Sequence, residues 1–239
     1  MNTPNIVIAI DGTSASGKST NAKRVARELG YIYVDTGAMY RALAWAIEAG
    51  PAERDQHLRW KGEPEGDEVS ELLTRLPLRF SIEANKLLVF YGERCLSEEL
   101  RGPQISDAAS RISQLPAVRE FMVAWQRELA RRNDVVAEGR DTATVVFPKA
   151  DLKVFLTADL QARAKRRFVE YLEKGIDSSL EEIQERIRLR DEADANRDHS
   201  PLRPAEGAIL LDTSHLGVQE VVDRLSEKAH NLIRAGSST

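Results

Sequence analysis

Residues 6–20 read IVIAIDGTSASGKST, and no other stretch limits the possible folds of this chain as strongly. From Gly12 to Ser19 the run fits G-x-x-x-x-G-K-[ST], the pattern of a phosphate-binding loop. Residues 6–10 are apolar and mostly β-branched, as a buried strand requires. After the loop, Ala22, Val25, Ala26 and Leu29 share one face of a helix predicted over 18–29, and Gly30 stands where a helix stop belongs. Strand, glycine-rich loop and helix in that order form the frame that phosphate binding needs. Small residues let backbone N–H groups close around phosphate oxygens, and the helix N-terminus adds positive potential there. Lys18 can reach β- and γ-phosphates, and the Ser19 hydroxyl can bind magnesium. The bland alternative is a glycine-rich turn with no ligand, but all four fixed positions sit in the right setting.

The rest of the composition fits one large α/β domain, or such a domain carrying an insertion. The chain has 239 residues, 42% hydrophobic and 30% charged, enough for a sizeable core. A net charge of −4 argues against a generally basic nucleic-acid binder. Cys95 is the sole cysteine, which excludes an intrachain disulfide and a cysteine metal cluster. A reducing cytoplasm is the expected compartment. No segment reads as a membrane span, and MNTPN does not open a secretory signal. The tail from 235 to 239 is small and polar and is expected to fray.

Further buried strands are expected near 31–34, 134–137, 152–156 and 208–211. Helices are expected near 38–49, 103–131, 159–174, 179–197 and 217–234. Alternating strands and helices predict a five-stranded parallel sheet with flanking helices. Residues 51–102 break that rhythm. Gly50-Pro51 should end a helix, and 51–67 is polar. Residues 78–82 and 87–91 flank Glu83-Ala84-Asn85-Lys86 as a small antiparallel hairpin. The core domain is therefore expected over 1–62 and 103–239, with 63–102 as an inserted subdomain.

Three charged clusters follow the phosphate loop. Asp35-Thr36-Gly37-Ala38-Met39-Tyr40-Arg41 stands at the end of the second predicted strand, where ligands bind in open α/β sheets. Arg41 there can hold an anion one turn into a helix. Glu138-Gly139-Arg140-Asp141 follows the strand at 134–137. Arg140 can grip phosphate with its bidentate fork, while Asp141 can accept from an exocyclic amino group or bind metal through water. In the run 185–197, Arg190, Asp194 and Arg197 are spaced four and three apart and share one helical face. Such a run is often a solvated helix, but phosphoryl transfer needs mobile cations that exclude water, so 179–200 reads as a closing lid. Arg163, Arg166 and Arg167 are candidates for one wall of the same site.

The segments AIDGTSASGKST, DTGAMYRALA, ISDAASRISQLPAVRE, EGRDTATVVFPKADLKVFLTA, RAKRR and RDEADANR, in this order, resemble the bacterial cytidylate kinase family across nearly the whole chain. The loop alone says only P-loop NTPase; its combination with EGRDTATVVFP and RDxxDxxR is much narrower. The resemblance implies a P-loop NTPase fold with an inserted substrate-binding subdomain and a helical lid. It implies phosphorylation of CMP and dCMP by ATP with Mg²⁺, in a monomer that needs no nucleic-acid polymer or membrane.

Carried over by matching motif, Gly12, Thr13, Ser14, Ala15, Ser16, Gly17, Lys18, Ser19 and Thr20 would hold the ATP phosphates. Thr36 and Arg41 would bind the nucleoside monophosphate, and Ser110 and Arg119 would line the base site with Asp141. Arg140 and Arg197 would contact the acceptor phosphate, while Arg190 and Asp194 would reach the sugar or phosphates as the lid closes. Lys18, Arg140, Arg190 and Arg197 are thus the expected catalytic cations, and Ser19 the magnesium ligand, with Asp35 and Asp141 as candidate supporting carboxylates. The chain departs from the family where Ala193 replaces a frequent lid arginine and where Thr13 and Ser16 replace common loop residues. The base chemistry agrees, because a carboxylate pairs with the cytosine amino group and repels the uracil carbonyl. A kinase for another small acceptor is the nearer rival. A GTPase switch is the further one; it needs an N-K-x-D element, which Asn85-Lys86-Leu87-Leu88 does not supply.

Overall fold

The computed structural model describes residues 5–48, 66–83, 85–100 and 102–236. In chain order its elements are β1 (Val7–Gly12), α1 (Lys18–Leu29), β2 (Ile32–Asp35), α2 (Thr36–Glu48), α3 (Gly66–Arg75), β3 (Leu78–Glu83), β4 (Lys86–Tyr91), β5 (Arg94–Leu96), α4 (Pro103–Ile112), α5 (Pro116–Arg131), β6 (Val135–Gly139), β7 (Leu152–Thr157), α6 (Leu160–Glu173), α7 (Leu180–Ala195), β8 (Ile209–Asp212) and α8 (Val218–Gly236). A 3₁₀ turn at Glu98–Leu100 and a π-helical turn at Thr142–Val146 complete it. The expected helix stop at Gly50-Pro51 and the polar run that follows lie outside the described residues, as does the tail beyond Gly236.

Contacts divide the chain into two compact units, Met1–Tyr33 with Asn133–Thr239, and Val34–Arg132. In the first, β6, β1, β7 and β8 lie side by side and parallel. The first residues of β2 border β6, where the Ile32 N–H donates to the Asp134 carbonyl at 2.9 Å. These strands are short and apolar because both faces are covered. Ile8, Ile10, Val136, Val154 and Leu156 pack with Ala22, Val25 and Ala26 of α1 and with Val221, Val222 and Leu225 of α8. Burying side chains of this size contributes about 1.5–3 kcal/mol each. A smaller cluster joins Ala164 of α6 to Ile183 and Ile187 of α7, with Ala15 of the loop packed against it.

The second unit holds α2 to α5 and an antiparallel meander, β3–β4–β5. Met39, Leu43 and Ile47 of α2 are fully buried, and Trp45 meets Tyr91 edge-on at 5.5 Å.

The α/β fold, the parallel strands and the antiparallel hairpin are as expected; of the eight strands among the described residues only β5 exceeds the five parallel and two hairpin strands predicted. The expected single helix over 103–131 is two helices. Leu115 takes extended angles (φ −76°, ψ 124°) ahead of Pro116, because proline disfavours the helical region for its predecessor. α3 and β5 were not anticipated. In α3 the buried Val69, Leu72 and Leu73 carry the helical period within a polar stretch.

Candidate active site

The loop between β1 and α1 is shaped by glycine where no other residue fits. A Cβ on Gly12 would lie 1.9 Å from the Leu156 carbonyl oxygen. Gly17 caps α1 in the left-handed region at φ 90°, and Ala15 is also left-handed at φ 58°. Lys18 is 5% exposed, and its Nζ donates to the Thr13 carbonyl at 2.6 Å. Burial first and Arg140 second push its pKa down to about 7, against the opposing pull of Glu138, Asp194 and Asp11. The Ser19 hydroxyl donates to Glu138 Oε1 at 2.5 Å, and Tyr33 donates to the same oxygen at 3.1 Å.

The arginines expected to act on phosphate gather on one carboxylate. Asp194 is wholly buried; Arg140 Nε donates to its Oδ2 at 2.8 Å, Arg190 Nε lies 3.8 Å from that oxygen, and Arg197 pairs with Oδ1. Burial alone would raise the Asp194 pKa, but Arg140, Arg197 and Arg190 hold it below the usual carboxylate range. Arg140 follows β6, Arg197 lies just past the end of α7, and α7 itself carries Arg190 and Asp194. Its start is set by a capping box, in which the Glu182 N–H donates to Ser179 Oγ at 3.1 Å and the Ser179 N–H to Glu182 Oε2 at 3.0 Å. Its outer face carries the solvated pairs that charged helices usually have, such as Arg188 with Glu185 and Glu192.

Asp191, one residue from Arg190, fastens α7 to the loop. Its Oδ1 accepts the Ser14 N–H at 3.0 Å and its Oδ2 pairs with Arg163. Arg163 also donates to the Ser14 carbonyl at 3.0 Å. A carboxylate on a loop N–H occupies a donor suited to a phosphate oxygen. Arg166 bonds Thr213, whose hydroxyl reaches the Ser16 carbonyl at 3.1 Å, so two of the three α6 arginines support the loop. Arg167 instead pairs with Glu170 and lies over the Tyr171 ring. Asp11 is 1% exposed and accepts the N–H groups of Thr142 at 2.8 Å and Ala143 at 2.7 Å. Sequence reasoning gave no role to Asp11, Glu138 or Asp191. An acid next to a glycine at the end of a buried strand was the available signal for the first two.

Several buried polar atoms near these groups have no protein partner, among them Thr13 Oγ1, Ser16 Oγ and Arg197 Nε. Unpaired donors beside a depressed lysine fit a polyanion. Among the described residues no cluster of three metal-ligating side chains occurs.

Arg140, Asp141, Arg190, Asp194, Arg197 and the loop all lie in the first unit. Thr36, Arg41, Ser110 and Arg119 lie in the second. There Asp35 caps α2 by accepting the Ala38 N–H at 2.7 Å and pairs with Arg41 at 3.0 Å. Arg119, 7% exposed, donates to the Ser113 carbonyl at 3.1 Å and lies 6.0 Å over the Tyr40 ring. The Ser113 hydroxyl reaches the Ser110 carbonyl at 2.9 Å, which ties Arg119 to the end of α4.

Around the loop, Lys18, Arg140, Arg190 and Arg197 can attract negative charge, while Asp194 holds the three arginines in place and Asp191 pairs with Arg163. Phosphoryl transfer asks this of a protein, and on a strand–loop–helix frame it defines a P-loop kinase. The family model described as cytidylate kinase matches residues 8–231. A cytidylate kinase from Streptococcus suis is 42% identical over 230 residues, covering 95% of this chain and 98% of its own. Those from Lactobacillus gasseri and Bacillus cereus are each 42% identical, over 222 and 221 residues, covering 92% of this chain and 92% and 94% of theirs. The chain belongs to the cytidylate kinase family. A solved shikimate kinase from Bacteroides thetaiotaomicron is far more distant, at 15% identity and a TM-score of 0.45 over 94% of this chain and 98% of its own.

Proposed function

We propose that this chain transfers the γ-phosphoryl group of ATP to the phosphate of CMP or dCMP, giving ADP and CDP or dCDP. The observation that carries the reading is the gathering of Arg140, Arg190 and Arg197 on Asp194, with Lys18 buried beside them. An acceptor phosphate oxygen attacks the γ-phosphorus and the bond to the ADP oxygen breaks. Neither step needs a protein nucleophile, and positioning with charge stabilisation suffices.

The N–H groups of residues 12–20 and Lys18 hold the donor phosphates. Arg140 and Arg197 face the acceptor phosphate, and Arg190 and Asp194 its sugar or phosphates. Thr36 and Arg41, in the second unit, are the residues that the family's motif assigns to the monophosphate, and 63–102 is proposed as the inserted substrate-binding subdomain. Ser19, whose hydroxyl is bonded to Glu138, would hold Mg²⁺, which would supply positive charge to neutralise the donor phosphates. We read the chain as a cytoplasmic monomer acting on small molecules without a nucleic-acid polymer; no helix among the described residues is long and apolar enough to cross a membrane.

Asp141 accepts the cytosine amino group, and Arg119 and Ser110 donate to the other edge atoms. Asp141→Asn therefore narrows the preference for CMP over UMP, because an amide can turn either a donor or an acceptor to the base. Steady-state kcat/KM values for both nucleotides check this, and an unchanged ratio removes Asp141 from base selection.

The lid adds a second expectation. Hydrogen exchange across 180–200 slows when CMP and a non-hydrolysable ATP analogue bind together, as the ligands tie α7 down. Slow exchange that ligands leave unchanged would make α7 a static helix.

A further inference from the structure

Arg140 and Asp141 sit on a two-residue span between fixed points, and Asp11 supplies both. In the parallel pairing of β1 with β6, Asp11 stands opposite Gly139, the residue before Arg140. Its side chain then takes the N–H groups of Thr142 and Ala143, the residues after Asp141. From there the π-helical turn closes, with the Asp141 carbonyl accepting from Val145 at 2.8 Å and Val146 at 3.2 Å, and the Thr142 carbonyl from Phe147 at 2.7 Å. Asp11 itself has little freedom. It is 1% exposed, and the next residue is Gly12, which has no room for a Cβ.

We infer that Asp11 is a positioning residue for the acceptor nucleotide: its carboxylate clamps the turn after Asp141 and so aims Arg140 and Asp141. The inference rests on the roles proposed above for those two residues. A carboxylate here is costly. Burial and nearby Asp141 push its pKa up to about 6, although the two N–H bonds pull the other way. Each carboxylate oxygen takes one of the two adjacent N–H groups, Oδ1 that of Thr142 and Oδ2 that of Ala143, where an amide would turn an NH₂ toward one of these donors. The same residue leads directly into the phosphate loop, so donor and acceptor sides share one backbone anchor.

Asp11→Asn tests this, because the amide keeps one acceptor and turns an NH₂ against the second N–H. The KM for CMP is expected to rise at least about tenfold and the CMP:UMP ratio to fall about threefold or more, while the KM for ATP stays within about twofold. A variant with lower thermal stability but unchanged kinetic constants would show a purely structural role and overturn the inference. Equal losses toward ATP and CMP would overturn it too, since they would mean a damaged phosphate loop. Asp11→Glu is a second arm; it keeps both oxygens but is one methylene longer, and the same CMP-only loss is expected to a smaller degree. In the folded wild type, exchange of the Thr142 and Ala143 amides should be slow with or without nucleotide, and rapid exchange there would remove the clamp whatever the variants do. If the wild type itself fails to prefer CMP over UMP, the fault lies in the role given to Asp141, and Asp11 is then judged on the KM for CMP alone.

Discussion

Lys18→Ala lowers kcat by about 10²-fold or more and leaves the fold intact, the usual size of losing one preorganised charge at a developing anion. Lys18 is buried beside Arg140, and burial first and Arg140 second push its pKa down to about 7 despite three nearby carboxylates, so further negative charge would favour its ammonium form. Donor phosphates supply that charge. They favour the charged form, so at about pH 8, where the ligand-free lysine is mostly neutral, ATP binding draws a proton from solution. Calorimetry in buffers of different ionisation enthalpy reads that uptake in the wild type, and Lys18→Ala abolishes it. Single-turnover measurements read the rate, and near-normal turnover by a folded variant would remove Lys18 from the mechanism.

Asp194→Ala strips the shared partner from Arg140, Arg190 and Arg197. Breaking a buried ion pair from one side costs about 3–5 kcal/mol, because the remaining charges stay desolvated and now repel one another. Asp194 is wholly buried and the Arg197 side chain 7% exposed, so little solvent screening softens that cost. Urea unfolding should show the ligand-free variant less stable by about 3 kcal/mol or more, with CMP and ATP together recovering part of it, since their phosphates neutralise the same arginines. A loss below about 1 kcal/mol would mean that the cluster is solvated and worth no more than a surface pair.

The strand–loop–helix start was legible because its signal is local: G-x-x-x-x-G-K-[ST] follows an apolar run and opens a helical period. A helix near 179–197 was legible from its charge spacing, but α7 ends at Ala195, so Arg197 lies beyond it and meets Asp194 from the chain that follows, not from the same helical face. Asp194 was read as a ligand group, however, and its role as the common partner of three arginines was hidden, because Arg140 lies far away in sequence. Asp11 was hidden for the same reason. Its two partners come more than a hundred residues later, and nothing local separates a buried clamp from an acid at a strand end. The break before Pro116 was readable from the proline alone, but the apolar period runs through it on both sides and masked it. α3 escaped because its few apolar residues are diluted by acidic ones.

Steady-state kinetics of the wild type with CMP, dCMP, UMP and AMP, read as ADP release, test the central claim most directly. The uracil carbonyl would face the Asp141 carboxylate acceptor to acceptor and leave a charge without its partner, at a cost of about 1–3 kcal/mol or more. CMP and dCMP are therefore preferred over UMP by at least about tenfold in kcat/KM. Equal use of UMP and CMP would contradict the assignment of cytosine to this site.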